Sequence, residues 1–258
     1  MDTVLITGAT GGIGSELSKI FAQRGYDLVL TARSEEKLNV LKNELEETYS
    51  NHIFIIAADL AKPDGINLVF NEIDLADIQI DILVNNAGFG DYGRFADADW
   101  EKQEEMIQVN ILALMQMTKR FLPPMIHRKE GKILNIASVA AFAPGPYMSV
   151  YYASKAFVLS FSEAIATELK NSGVTVTAVC PGPTTTGFVA AAGDGTEKLF
   201  KSFKNADPKD VAEFAYKSLM KGKVVATPGF QNKLLAFGTR LIPKSVVRKF
   251  VAKVQGED

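Results

Sequence analysis

The stretch Thr7-Gly8-Ala9-Thr10-Gly11-Gly12-Ile13-Gly14 lies directly behind the short apolar run Val4-Leu5-Ile6. No other feature limits so strongly what this chain can become. Ile13, Leu17, Ile20 and Phe21 follow at helical spacing. Strand, glycine-rich turn and helix in that order present backbone N–H groups and a helix N-terminus to a phosphate. Glycine allows the tight turn and lets the backbone come close to a pyrophosphate. A glycine-rich turn can also merely reverse the chain; its place behind the first strand is what favours the phosphate.

The rest of the chain repeats the alternation. Strands are expected at Tyr26–Ala32, His52–Ala58, Ile82–Asn85, Lys132–Ala137, Val174–Val179 and Lys223–Thr227. Between them lie helical patterns. One is capped by Ser34 and carries Leu38, Leu41 and Leu45, and another runs from Lys62 to about Ala76. A long helix from Trp100 to about Met125 and one opening at Asp207 complete the set. Such alternation implies an α/β, doubly wound parallel sheet of seven strands with helices on both faces. At 258 residues the chain is near the upper limit for one hydrophobic core, so a single domain, 1–258, is expected.

One helix carries chemistry. After Pro144-Gly145-Pro146, Ser149 is placed as an N-cap, and Phe157, Phe161, Ile165 and Leu169 recur at helical spacing until Gly173. Tyr151 and Lys155 stand four residues apart and share a face. An ammonium near a phenol favours phenolate and pulls the tyrosine pKa down from about 10. A tyrosine so tuned can give or take a proton. An isolated Tyr-x-x-x-Lys would be an ordinary surface pair.

This pair is not isolated. The glycines stand as Gly8-x-x-x-Gly12-x-Gly14, with Gly11 extra, and Asn85-Asn86-Ala87-Gly88 closes the fourth strand. Ser138 lies thirteen residues before Tyr151. In these motifs, from Val4 to about Gly187, the chain resembles the short-chain dehydrogenase/reductase family, and in particular its ketoacyl and hydroxysteroid reductase branch. The resemblance implies a Rossmann-like fold with strand order 3-2-1-4-5-6-7. It implies Asn110, Ser138, Tyr151 and Lys155 as catalytic residues, Asn110 holding a water that links Lys155 to solvent. It further implies hydride transfer between a nicotinamide and a small carbonyl or alcohol substrate. A non-catalytic NADP-binding sensor or scaffold is the alternative, and the loss of Tyr151 or Lys155 would have favoured it.

Cofactor contacts are expected from Gly8, Thr10, Gly11, Gly12, Ile13 and Gly14. The family also places Asp59 on the adenine, with Leu60 beside it, although Asp59 can equally cap the next helix. Asn86, Ala87, Gly88, Asn110, Tyr151 and Lys155 complete the middle of the site. Pro181 and Gly182 turn against the nicotinamide end. Among Thr184, Thr185 and Thr186 the choice stays open, with Thr186 at the usual spacing. At the end of the second strand an acid would select NAD by bonding the ribose 2′-hydroxyl. The sequence reads Thr31-Ala32-Arg33, and a guanidinium suits a 2′-phosphate, so NADP is expected rather than NAD.

Residues 183–206 are expected to be a mobile substrate lid, from the Ala- and Gly-rich run Phe188 to Phe203. Residues 228–258 form a C-terminal extension. From Gln231 to Val254 it carries Lys233, Arg240, Lys244, Arg248, Lys249 and Lys253 without one acid. It is expected to pack on the domain or on a partner subunit; contact with a membrane surface is the alternative. The family also suggests a homodimer or homotetramer. Cations and acids nearly balance, which gives nucleic acid no bulk attraction. His52 and His127 have no metal-ligand spacing. One cysteine, Cys180, and the absence of a basic, apolar leader suit the cytoplasm.

Overall fold

The computed structural model describes residues 1–187 and 205–255. Most of the run expected to be a lid therefore lies outside the described residues. Seven parallel strands form one sheet: β1 (Thr3–Thr7), β2 (Asp27–Ala32), β3 (Ile53–Ala57), β4 (Ile82–Asn85), β5 (Gly131–Ile136), β6 (Val174–Val179) and β7 (Val225–Ala226). Their order is β3-β2-β1-β4-β5-β6-β7, as the resemblance implied.

Alternation of side chains divides the core into two layers. Val4 and Ile6 of β1, Leu28 and Leu30 of β2, and Ile82 and Val84 of β4 turn to one face. There they meet α1 (Gly12–Gln23), α2 (Glu35–Thr48) and α7 (Pro208–Met220). Leu5, Val29 and Leu83 turn to the other face. They pack on α3 (Pro63–Leu75), α5 (Leu114–Arg128) and α6 (Ser149–Glu168). Strands buried on both faces need the near-continuous apolar runs that the sequence supplies.

Helix starts follow local chemistry. Ser34 Oγ accepts from the Lys37 N–H at 3.3 Å, Asp99 Oδ1 from the Glu101 N–H at 3.0 Å, and Asp207 Oδ1 from the Lys209 N–H at 2.8 Å. Two expected caps are corrected. Ser149 is the first residue of α6; Met148 takes the cap position and offers no side-chain acceptor. Tyr147, in left-handed backbone at φ 64°, sets that entry one residue early. Its carbonyl accepts from the Gly93 N–H at 2.8 Å, and its ring stacks on Tyr92 at 5.9 Å. Asp59 does not cap α3, because that helix begins only after Lys62; its carboxylate accepts from the Ala61 N–H at 3.0 Å instead.

The expected long helix is α4 (Trp100–Ile107) followed by α5, with a π-helical turn over Gln108–Ala113 between them. Asn110 sits in that turn. One inserted residue widens the helix there, a feature frequent at functional sites. The C-terminal extension forms α8 (Phe230–Leu241) and α9 (Lys244–Gln255).

Candidate active site

The carboxyl ends of β1, β2, β4, β5 and β6 open onto one continuous cleft of about 610 Å³. This is where an open α/β sheet receives a ligand, at the point where strand order reverses.

The glycine turn forms its floor. Gly8 has φ +65°, a left-handed backbone that glycine adopts without strain. Gly11 caps α1 with no side-chain hydrogen bond, which leaves the first helical N–H groups for an anion. Gly11, Gly12 and Ile13 line the cleft. A Cβ on Gly12 would stand 2.6 Å from Thr186 Cγ2, so the turn after β6 closes against the phosphate end of the cleft. Thr184 and Thr186 line the cleft, while Thr185 bonds the Ala206 carbonyl through its N–H. Gly14 does not line it. There is no room for a Cβ between Gly14 and the Gly8 carbonyl, so its part is to let α1 approach the turn.

The two asparagines after β4 divide the work of holding this floor. Asn86 Nδ2 donates to the Thr7 and Gly8 carbonyls, both at 3.0 Å, and Thr7 Oγ1 accepts from the N–H groups of Asn86 and Ala87. Asn85 points into the protein. Its Nδ2 reaches Asn135 Oδ1 at 2.9 Å and Thr118 Oγ1 at 3.2 Å, and Asn135 donates to Ser162 Oγ at 2.8 Å. A buried polar chain thus joins β4, β5, α5 and α6, although Asn85 Oδ1 itself is buried with no hydrogen-bond partner among the described residues.

At the adenosine end Arg33, Ser34 and Lys37 line the cleft with Asp59 and Leu60. Arg33 and Lys37 are exposed, and neither forms an ion pair among the described residues. Lys37 was not singled out from sequence. Its signal was present, one helical turn beyond the Ser34 cap.

At the other end Ser138, Tyr151 and Lys155 come together. Ser138 follows β5, and its Oγ accepts from the Ala140 N–H at 3.1 Å. Its side chain is also hydrogen-bonded with Tyr151. Lys155, 6% exposed, donates from Nζ to the Ile136 carbonyl at 2.8 Å and lies 5.9 Å from the centre of the Tyr151 ring. The expected lowering of the Tyr151 pKa is corrected. Burial pushes it up to about 12, against the pull of the Ser138 hydrogen bond. The same burial brings the Lys155 ammonium down to about 8. Desolvation is the largest cause of both shifts, and the ammonium spends a hydrogen bond on the Ile136 carbonyl.

Asn110 stands one layer behind and does not line the cleft. Its amide accepts from the Phe89 N–H at 3.1 Å and donates to the Phe89 carbonyl at 2.9 Å and Ser154 Oγ at 3.0 Å. Asn110 Oδ1 and Lys155 Nζ both crowd Gly88, at 2.9 and 3.3 Å from where its Cβ would be.

The remaining wall comes from the C-terminal extension. Asn232 and Leu235 of α8 and Phe250, Val251 and Val254 of α9 line the cleft opposite Met148 and Tyr152. Tyr152 is held by it, since Gln255 Nε2 donates to its hydroxyl at 2.8 Å. The Gln255 carbonyl accepts from the Tyr92 hydroxyl at 2.5 Å. The extension therefore packs on the domain, with Val247, Ala252 and Gln255 buried.

Comparison with known proteins agrees with this geometry. Residues 2–197 match the short chain dehydrogenase family. The chain is 37% identical over 221 residues to sulfoacetaldehyde reductase 2 of Chromohalobacter salexigens, covering 83% of this chain and 87% of the relative. It is 32% identical over 247 residues to the very-long-chain 3-oxoacyl-CoA reductase of Rattus norvegicus, covering 94% and 73%. A short-chain dehydrogenase from Sphingobium yanoikuyae, solved in complex with NADPH, superposes with a TM-score of 0.84 at 34% identity, over 93% of this chain and 94% of that one. The glycine cradle, the uncapped start of α1 and the cations beyond β2 fit a dinucleotide, and the polar cluster beyond them fits the chemistry of a carbonyl. The chain belongs to the short-chain dehydrogenase family and is a nicotinamide-dependent oxidoreductase acting on alcohol or carbonyl groups.

Proposed function

We propose that the protein reduces an apolar ketone or aldehyde to the alcohol with NADPH, using Tyr151 as the general acid. The observation that carries this reading is the hydrogen-bonded pair Ser138–Tyr151, which lines the same cleft as Lys155 and the glycine turn. When bound, NADPH supplies the hydride; the chain supplies position and protons. Gly11, Gly12 and Ile13 take the pyrophosphate, and Arg33 with Lys37 takes the 2′-phosphate, which favours NADP over NAD.

Ser138 donates to the carbonyl oxygen and orients it. The oxygen then takes the Tyr151 phenolic proton as negative charge develops on it. A phenol that burial keeps protonated is suited to donate, and Lys155 is the cation nearest to steady the tyrosinate that results. Asn110, next to Lys155 across Gly88, belongs to the route that returns the proton. Alcohol oxidation uses the same groups in reverse.

The substrate class is supported by the wall. Phe89, Val109, Met148, Leu235, Val251 and Val254 are apolar, so a carbonyl compound with a sizeable hydrocarbon part suits it. The apolar side chains along α6, with Phe157 and Phe161 stacked at 5.8 Å and only partly buried, favour a homodimer or homotetramer through the long helices. A panel of ketones and aldehydes, followed by loss of NADPH absorbance, tests the reading. Turnover should be greatest for bulky apolar ketones. No turnover of any carbonyl, with NADPH bound, would leave a sensor or scaffold as the function.

A further inference from the structure

We infer that the outward face of α8 and α9 docks on the surface of a bilayer containing anionic lipid. In α8, Phe230, Leu234, Phe237 and Leu241 are 80%, 60%, 61% and 71% exposed. Their spacing, i, i+4, i+7 and i+11, puts all four on one narrow stripe of a 3.6-residue helix. A soluble helix normally turns such a stripe inward; this one turns it to solvent. In α9 the exposed Val246 stands with Lys249 and Lys253 on one solvent-facing arc of the helix.

Both helices are packed on the domain. Val247, Ala252 and Gln255 bury one side of α9, and the Asn232 amide of α8 lies against Gly182 in the turn after β6. No helix of the described residues is long and apolar enough to cross a membrane, so the pair would lie on a surface rather than span it.

Charge selects the occupant. The chain as a whole carries a formal charge of −2, yet Gln231 to Val254 holds only cations. A twofold contact between two copies would set this cationic face against itself, and like charges in apposition are unfavourable. An anionic lipid surface complements both the cations and the apolar stripe. Other residues of the same helices, Leu235, Val251 and Val254, line the cleft, so docking sets the cleft close to the lipid. The inference itself does not depend on the reaction, because binding is read without turnover.

The test is co-sedimentation of the full-length protein with vesicles of phosphatidylcholine alone or mixed with phosphatidylserine. The protein should partition onto the mixed vesicles, weakly onto the neutral ones, and less as salt rises. Lys249→Gln with Lys253→Gln should lower the partition coefficient about 30-fold, at roughly 1 kcal/mol per charge near an anionic surface. Phe237→Ser with Leu241→Ser, at positions outside the cleft, should also release the protein while circular dichroism and NADPH binding stay as in the parent. No partition of the parent protein, or equal partition of parent and variants, overturns the inference. So does a fall in oligomeric size for the Phe237→Ser, Leu241→Ser protein, which would make this face a contact between copies.

Discussion

Lys155 is a buried amine with no acid paired to it among the described residues, and its cost should be visible in the pH dependence of folding. Burial lowers its pKa from 10.5 to about 8. Each pKa unit corresponds to about 1.36 kcal/mol, so carrying the charged form costs the folded protein about 3 kcal/mol at neutral pH. The direction follows from proton binding. Between pH 8 and 10.5 the unfolded chain keeps the proton that the folded chain has released, so stability rises with pH across that window. Tyr151 and Tyr152, both pushed up to about 12 by burial, act oppositely and only above pH 10. Urea unfolding of the cofactor-free protein from pH 7 to 10, compared with Lys155→Met, isolates the group. The parent should gain about 2–3 kcal/mol relative to the variant over that range. A difference that stays flat with pH would refute the reasoning, since it would mean that the amine is solvated and not tuned by the site.

Arg33→Ala should weaken NADPH binding by about 1.5–3 kcal/mol, the range for hydrogen bonds to charged groups, and leave NADH affinity unchanged; equal losses measured by calorimetry would show that the guanidinium does not read the 2′-phosphate. Truncation after Thr227 removes Gln255 and one wall of the cleft, so it should lower the thermal midpoint and raise KM for bulky ketones; unaltered stability and KM would mean that the extension is no part of the site.

The sheet and the reactive pair were legible because their signals are local. Gly8 to Gly14, Asn85 to Gly88 and Tyr151 to Lys155 each lie within one turn or strand end, where spacing dictates proximity. Other parts were not, for physical reasons. The hydrogen bond from Gln255 to Tyr152 spans 103 residues, and nothing in the periodicity of α9 says which tyrosine it meets. The π turn at Asn110 adds one residue to a helix whose apolar pattern continues on both sides. Sequence spacing placed an ammonium near the Tyr151 phenol but carried no information on burial, and burial decides the direction of both pKa shifts. The outward apolar stripe of α8 shows the same limit: an amphipathic pattern identifies a face, and only the fold shows which way it turns.

In the proposed reaction Tyr151, and not its neighbour, delivers the proton. The two rings are 6.1 Å apart at nearly right angles, yet their hydroxyls have different partners. Tyr151 is hydrogen-bonded with Ser138, whereas the Tyr152 hydroxyl accepts from Gln255 on the far wall. Each Tyr→Phe change removes one hydroxyl and little volume, so both proteins should fold and bind NADPH. The decisive measurement is kcat of Tyr151→Phe and Tyr152→Phe with a ketone that the parent reduces, at several pH values. Turnover should fall roughly 10²–10⁴-fold in Tyr151→Phe and stay near that of the parent in Tyr152→Phe. An active Tyr151→Phe beside a dead Tyr152→Phe would contradict that role for Tyr151.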